Sequence, residues 1–130
     1  MKPLFLIADD STAKRLMLIG MVHHSRWDVE ILAAETTEQA EAHIAAHPDI
    51  AAAFIDYEIP SAQGPAVIRS LRAANPQSRI ALVTASDSQE YKTNAIEAGA
   101  DAFVCTSWPL DEVEKKIAEL LMEWRIERTA

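Results

Sequence analysis

The sequence is poor in cysteine and in long apolar runs. Its 130 residues include one cysteine, Cys105, which excludes an intramolecular disulfide and a cysteine-based zinc site and is compatible with a reducing cytoplasm. The first apolar run, Leu4 to Ala8, stops at the acid pair Asp9 and Asp10, so it is too short for a signal peptide or a membrane span. We therefore expect a cytoplasmic protein that does not enter the membrane.

Positive charge is also scarce. Twelve Lys and Arg residues stand against 20 Asp and Glu residues, which gives a net charge of −8. Because proteins that bind nucleic acids or anionic lipids neutralise phosphate with Lys and Arg, we expect neither as a partner. Hydrophobic residues make up 49% and charged residues 25%, which are globular values that exclude intrinsic disorder. A chain of this length buries about two-thirds of its unfolded surface, so it needs no metal or disulfide to fold.

Five short apolar runs alternate with longer amphipathic stretches. Most of the runs are nearly continuous in hydrophobicity, which is typical of strands buried on both faces of a parallel sheet. The predicted strands are Leu4–Ala8, Val29–Ala34, Ile50–Ile55, Ile80–Val83 and Ala102–Cys105. Five βα units without a linker predict one α/β domain over residues 1–130, with a doubly wound parallel sheet and helices on both of its faces.

Hydroxyl residues and one glycine mark the expected helix ends. The N-terminal caps are predicted at Ser11 or Thr12, Thr36 or Thr37, and Ser86 or Ser88. Gly99 stands where a C-terminal glycine is expected at the end of the fourth helix. The tail from Met122 to Ala130 extends the last helix beyond what the sheet needs to cover. That extension is interpreted as a solvated end or as a partner-docking helix.

Acidic and hydroxyl residues follow the predicted strands. The first strand ends in Asp9 and Asp10, the third in Asp56 and the fourth in Thr84. Ligands of doubly wound sheets bind beyond the carboxyl ends of the strands, so these side chains should converge. Clustered carboxylates need a shared proton or a cation, and Mg²⁺ takes one or two carboxylates, waters and a phosphate. A carboxylate beside that ion can attack phosphorus, and a hydroxyl can then help to neutralise the phosphoryl oxygens.

Four segments around these strand ends carry a recognisable pattern. They are Phe5–Asp10, Ala53–Pro60 followed by Gly64, Ala81–Ala85 and Glu97–Val104. Together they make the chain resemble the receiver domain of two-component response regulators in its single-domain form. The resemblance implies a CheY-like, flavodoxin-like fold with strand order 2-1-3-4-5. It also implies that no output domain accompanies the receiver.

The resemblance also implies roles for individual residues. Asp56 would be the phospho-acceptor, Thr84 would bond a phosphoryl oxygen, and Phe103 would occupy the position of the rotamer-switching aromatic residue. The implied Mg²⁺ ligands are Asp9, Asp10, Asp56 and the backbone carbonyl of Glu58. Glu58 also adds a fourth carboxylate to the expected pocket, at a position that helps to govern dephosphorylation in this family.

One position departs from the family pattern. The family places a lysine in the loop after the fifth strand, where it pairs with the phosphate or with the acceptor carboxylate. A gap-free alignment puts Thr106 at this position, and an alignment with an insertion puts Trp108 there. The predicted site loops contain no Lys or Arg, and the nearest base along the chain is Lys14 in the first helix. The phosphoryl group is therefore expected to rely on Mg²⁺, Thr84 and backbone amides.

Three hypotheses about function follow. The leading one is a stand-alone receiver, not an enzyme, that takes phosphate from a histidine kinase or a phosphotransfer protein onto Asp56. As a monomer or weak dimer, it would signal by protein contact through its fourth helix, fifth strand and fifth helix. The second is a pseudo-receiver that binds partners without productive phosphorylation, because the lysine is missing. The third is an aspartate-nucleophile phosphohydrolase, since Glu58 lies two residues after Asp56 as the second acid of that family does.

Overall fold

The computed structural model describes residues 2–25 and 28–124, and within them five strands alternate with five helices. The strands are β1 Leu4–Ala8, β2 Glu30–Ala34, β3 Ala52–Ile55, β4 Arg79–Thr84 and β5 Ala102–Cys105. The helices are α1 Thr12–His24, α2 Thr37–Ala46, α3 Gly64–Ala74, α4 Gln89–Ala98 and α5 Leu110–Trp124. The part of the predicted tail beyond Trp124 lies outside the described residues.

The five strands form one parallel sheet in the order β2-β1-β3-β4-β5, which confirms the predicted fold class and strand order. β1 pairs with β2 on one side and with β3 on the other, so that Ile7 lies opposite both Ala33 and Phe54. The chain therefore reverses its direction across the sheet between β1 and β3. In folds of this kind, the crevice beyond the carboxyl ends of these two strands is where ligands bind.

Two apolar layers cover the two faces of the sheet. Along β1, Leu6 packs into the layer formed with α2, α3 and α4, whereas its neighbour Ile7 packs into the layer formed with α1 and α5. Both side chains are 0% exposed. Because successive strand residues point to opposite faces and both faces are covered, every position in β1 is apolar. This explains why the strand is a continuous apolar run in the sequence.

The predicted helix ends are resolved to single residues. The N-terminal caps with a side-chain hydrogen bond to the helix backbone are Ser11, Thr36 and Ser88. Gly99 ends α4 in the left-handed region, with φ of 118°, a conformation that glycine adopts without the steric cost of a Cβ. These caps fix where each helix starts and ends relative to the strand before it.

The predicted third strand begins two residues too early. Ile50 is apolar and buried, as strand residues are. In the described part of the chain, however, its carbonyl accepts hydrogen bonds from the side chains of Asn75 and Ser78 and not from a neighbouring strand. A run of apolar residues in the sequence therefore does not show where the strand itself begins. Among the described residues, no helix has both the length and the apolar character needed to cross a bilayer.

Candidate functional site

Three carboxylates converge beyond the carboxyl ends of β1 and β3. The backbone N–H of Asp9 donates to Ala34 O at 2.9 Å, and that of Asp56 donates to Ala8 O at 2.9 Å, so both residues continue the sheet's hydrogen bonding. One carboxylate oxygen each from Asp9, Asp10 and Asp56 lies within 4.8 Å of the others. Asp9 and Asp56 are buried and Asp10 is exposed, so the cluster opens to solvent on the side of Asp10.

Gly64 fixes the loop that carries Asp56. Its N–H donates to Tyr57 O at 2.7 Å, which brings the start of α3 against the residues after β3. A Cβ at position 64 would collide with the backbone oxygen of Asp56. Only glycine therefore allows this close approach, and the site depends on it although Gly64 carries no functional group.

Lys14 reaches into the acid cluster from the first turn of α1. Its Nζ lies 2.8 Å from Asp9 Oδ2 and 3.4 Å from Asp56 Oδ1, and it donates to Val83 O at 2.9 Å. Helical side chains tilt towards the N-terminus of their helix, and here that direction leads from Lys14 back over the strand ends. The site loops themselves contain no basic residue, but helix α1 brings the ammonium of Lys14 to the acid cluster.

Arg15 holds the backbone of the same loop. Its guanidinium donates to Asp9 O at 2.7 Å, to Thr12 Oγ1 at 3.1 Å and to Glu35 Oε1 at 2.9 Å, and the residue is 8% exposed. Two consecutive bases thus act on one acid: Lys14 pairs with its carboxylate and Arg15 binds its carbonyl. No role was predicted for Arg15. The adjacent bases Lys14 and Arg15, in the helix that follows the acid pair, are the sequence feature that could have indicated one.

The pKa of Asp56 reflects both its burial and its charged neighbours. Burial raises the pKa of the Asp56 carboxyl, and the negative charge of Asp9 raises it further. The ammonium of Lys14 opposes this increase, as do hydrogen bonds from the Thr84 hydroxyl and the Tyr57 N–H, but the net shift of the pKa is upward. Lys14 and the two hydrogen bonds therefore do not fully offset the cost of burying the charged form of Asp56.

The side-chain oxygens of Asp9 suit a bound cation. Oδ1 accepts a hydrogen bond from the N–H of Ser11 at 2.9 Å. Oδ2 is buried, and among the described residues its one partner is the ammonium of Lys14, because no donor meets it with hydrogen-bond geometry. Carboxylate oxygens of Asp9, Asp10 and Asp56 that lie this close together are the hard donor set that Mg²⁺ prefers. The residues present therefore fit a magnesium ion.

The structure also places the residues that follow β4 and β5. Thr84 ends β4 and is buried, and its carbonyl accepts a hydrogen bond from Thr106 N–H at 2.8 Å. Thr106 directly follows β5, and this bond places its backbone beside Thr84. Trp108 lies two residues further along and contacts Phe103 edge to face, with ring centroids 6.3 Å apart. Phe103 is half-buried, and the ammonium of Lys92 lies 4.8 Å from its ring centre.

The side chain of Glu58 does not join the acid cluster. Its Oε1 accepts a hydrogen bond from the hydroxyl of Tyr91 on α4, and this bond raises the pKa of Tyr91 to about 12. The Tyr91 ring stacks on Tyr57 with centroids 3.6 Å apart, and Asn94 donates to the Tyr57 hydroxyl. The expected fourth carboxylate is thus held at the rim by α4, because Tyr91 is a better partner for it than three negative side chains.

In this parallel sheet, carboxylates lie at the switch point, where the chain reverses its direction between β1 and β3. Such a structure can hold a divalent cation beside a phosphoryl group. The sequence profile of the response regulator receiver domain matches residues 5–118. The chain belongs to this family, and it is a receiver domain of two-component signalling. Receiver domains generally act by binding other proteins, among them histidine kinases and downstream targets, and they bind Mg²⁺ at an acidic pocket.

Curated relatives are similar over most of this chain. Response regulator MprA of Mycobacterium ulcerans is 30% identical over 122 residues, which cover 94% of this chain and 51% of that protein. Chemotaxis protein CheY of Bacillus subtilis is 25% identical over 116 residues, which cover 89% of this chain and 95% of that protein. The chain spans about half the length of MprA and of several other curated relatives that it matches.

Solved structures share the fold. CheY in the CheX–CheY–BeF₃–Mg complex from Borrelia burgdorferi is 20% identical with a TM-score of 0.80, and the match covers 95% of this chain and 90% of that one. A CheY-like receiver from Methanospirillum hungatei is 25% identical with a TM-score of 0.70, over 95% of this chain and 99% of that one. At such low identity the first likeness concerns the fold alone.

Proposed function

We propose that this receiver accepts a phosphoryl group on Asp56 with the help of Mg²⁺, from a histidine kinase or a phosphotransfer protein. The observation that carries the proposal is the convergence of Asp9, Asp10 and Asp56 within 4.8 Å at the switch point of the sheet. Asp56 follows β3, the strand between β1 and β4, and it is the member of this cluster that lines the open pocket beside Thr84. It is therefore the carboxylate best placed to act as the nucleophile.

Phosphoryl transfer needs an oriented carboxylate and neutralised phosphoryl oxygens. The N–H of Tyr57 donates to Asp56 Oδ1 at 2.8 Å and fixes the plane of the carboxylate. A carboxylate oxygen of Asp56 attacks phosphorus, an O–P bond forms, and the bond from phosphorus to the donor breaks. The electron pair of that bond leaves with the imidazole of a phosphohistidine or with the acetate of acetyl phosphate.

The negative charge of the transferred group would be met by Mg²⁺ and by the Thr84 hydroxyl. Asp9, Asp10, Asp56 and the backbone carbonyl of Glu58 would hold Mg²⁺. When bound, the ion supplies positive charge to the phosphoryl oxygens. The Thr84 hydroxyl already bonds the Asp56 carboxylate, so it is placed to donate to a phosphoryl oxygen once Asp56 is modified. Phe103, which is half-buried one strand away, would change rotamer in response.

The output would be protein contact through α4, β5 and α5. Ile96 on α4 and Leu110 at the start of α5 are large apolar residues that are 64% and 60% exposed, and they would contribute apolar area to a face that binds a partner. We assign this face to a downstream protein target, with the receiver acting in the cytoplasm as a monomer or weak dimer. No role in nucleic-acid binding or at a membrane is proposed, and the protein would not be an enzyme beyond its own phosphorylation and dephosphorylation.

The two rival hypotheses fit the geometry less well. A pseudo-receiver was suggested by the missing lysine, but Lys14 brings an ammonium to the acid cluster. A phosphohydrolase needs its second acid over the reacting centre, whereas Glu58 is hydrogen-bonded to Tyr91. Both rivals make different predictions from a phosphorylated receiver, and one experiment separates them.

The test is intact-mass spectrometry after incubation with Mg²⁺ and acetyl phosphate. The wild type should gain the mass of one phosphoryl group, and Asp56→Asn should gain none, because it lacks the nucleophile. Asp111→Asn, which changes an exposed acid at the start of α5, is the matched control and should be labelled like the wild type. An unlabelled wild type would favour the pseudo-receiver. Turnover of a phosphomonoester at a rate that Asp56→Asn abolishes would favour the hydrolase.

A further inference from the structure

The acid cluster has one cationic partner among the described residues. That partner is Lys14, whose Nζ contacts Asp9 and Asp56 in ion pairs of 2.8 and 3.4 Å. The other ion pairs of the described chain lie outside the three-carboxylate cluster. The cation of this pocket therefore comes from a helix that precedes the acceptor in the chain, and not from the end of β5.

The ammonium of Lys14 is held in place on three sides. Its Nζ donates a hydrogen bond to Val83 O and lies within ion-pair distance of Asp9 Oδ2 and Asp56 Oδ1. Val83 directly precedes Thr84, so the ammonium lies beside the end of β4. The side chain of Lys14 is 14% exposed. Its position is thus set before any phosphoryl group arrives, which reduces the cost of ordering it later.

Charge counting shows why this position matters. At neutral pH a phosphoryl group on Asp56 carries a charge of about −2, so the pocket holds about −4 together with Asp9 and Asp10. One Mg²⁺ reduces this total to about −2, and the ammonium of Lys14 reduces it to about −1. Thr106 offers only a neutral hydroxyl, and its backbone N–H is engaged with Thr84 O. Without Lys14, the excess negative charge in the pocket would be about twice as large.

We propose that Lys14 is the residue that pairs with the phosphoryl group on Asp56, so that α1 supplies the charge that the family takes from the loop after β5. This inference rests on the proposed function, since it assigns a further residue to the same site. It explains how position 106 carries threonine without leaving the phosphoryl group unpaired.

The first test compares Lys14→Met with the wild type and with Lys115→Met, a matched change at an exposed lysine on α5. Labelling by acetyl phosphate should slow about tenfold or more in Lys14→Met, because a charge-assisted contact is lost. Labelling of Lys115→Met should be unchanged. The double variant Lys14→Met/Thr106→Lys should regain much of the rate, since it returns an ammonium to the family position.

A second measurement distinguishes an electrostatic role of Lys14 from a structural one. The ammonium of Lys14 occupies Asp9 Oδ2, where it repels a cation, so calorimetric titration should show that Lys14→Met binds Mg²⁺ several-fold more tightly than the wild type. Loss of labelling with a gain in Mg²⁺ affinity supports the inference. Loss of both would reveal a merely structural residue and overturn it. Labelling of Lys14→Met within twofold of the wild type, or a double variant no faster than Lys14→Met, would also overturn it.

A third measurement uses the unmodified chain and holds even if Lys14→Met fails to fold. Amine-directed acetylation of each lysine is measured by peptide mass spectrometry with and without Mg²⁺ and beryllofluoride, a mimic of a phosphoryl group on a carboxylate. Lys14 should become less reactive on loading, while Lys115 stays unchanged. An increase in Lys14 reactivity would show that it leaves the pocket and would overturn the inference. A wild type that takes neither phosphate nor beryllofluoride would instead overturn the proposed function, and this assignment with it.

Discussion

The two sides of the acid pocket are built differently. On the side of α1, consecutive bases bind one acid, with Lys14 on the carboxylate of Asp9 and Arg15 on its carbonyl. On the side of β5, Thr106 follows the strand and brings no charge. The comparison shows that, among the described residues, the positive charge beside Asp56 comes from α1 and not from the segment after β5.

The largest effect is expected from Arg15→Met, which removes the bond between α1 and the backbone of the acid loop. The buried carbonyl of Asp9 would lose its donor, and the free energy of unfolding should fall by about 2–3 kcal/mol. Urea denaturation measures this fall, with Arg69→Met on the exposed face of α3 as a control that should change little. Equal stabilities of the two variants would show that the bond from Arg15 to Asp9 O does not stabilise the fold.

A smaller effect is expected from the charge of Asp56 itself in metal-free protein. Its pKa is raised by folding, so the folded state binds this proton more tightly than the unfolded state does, and stability falls as pH rises from the ordinary value of 3.8 through the raised one. Asp56→Asn removes that loss and should be more stable than the wild type at neutral pH in the presence of a chelator.

Chemical denaturation across pH measures the difference between Asp56→Asn and the wild type. The difference should shrink in acid and vanish below the ordinary pKa of an aspartate. It should also narrow when Mg²⁺ is added at neutral pH, because only the wild type retains all three carboxylates of the cluster. A wild type that is more stable than Asp56→Asn at neutral pH without metal would contradict this prediction. It would show that Lys14 and the hydrogen bonds to Asp56 outweigh the cost of burying its charge.

The smallest effect is expected from Thr106→Ala, on the uncharged side of the pocket. The hydrogen bond from position 106 to Thr84 O is made by the backbone and survives the change. Stability should stay within about 0.5 kcal/mol of the wild type, and the rate of labelling by acetyl phosphate should stay within twofold. A large loss of labelling in Thr106→Ala would make the threonine hydroxyl a functional group and would remove the contrast between the two sides.

The fold and the acid cluster could be predicted because both follow from local sequence. Each strand is a short apolar run, and the carboxylates end their strands, so parallel pairing alone brings Asp9 and Asp56 together. Ile50 shows the limit of this reasoning, because it is apolar and buried but does not belong to β3. Its carbonyl is bound by the side chains of Asn75 and Ser78, which lie far along the chain.

The side chains that set the charge of the pocket could not be placed from the sequence. Lys14 reaches the cluster because α1 starts directly above the ends of β1 and β4, which depends on the sheet order and on the direction of the helix. Glu58 leaves the cluster because Tyr91, 33 residues further along the chain, stands where it can donate to it. Both contacts join distant segments, and no local pattern encodes their distances.

The central claim is that α1 supplies the cation that faces the phosphoryl group on Asp56. A crystal structure of the protein with Mg²⁺ and beryllofluoride measures this most directly, through the distance from Lys14 Nζ to the nearest fluorine. We expect a contact of about 2.8 Å, the length of a charge-assisted hydrogen bond. A loaded Asp56 with the Lys14 ammonium turned out into solvent, beyond about 5 Å from every fluorine, would contradict the claim.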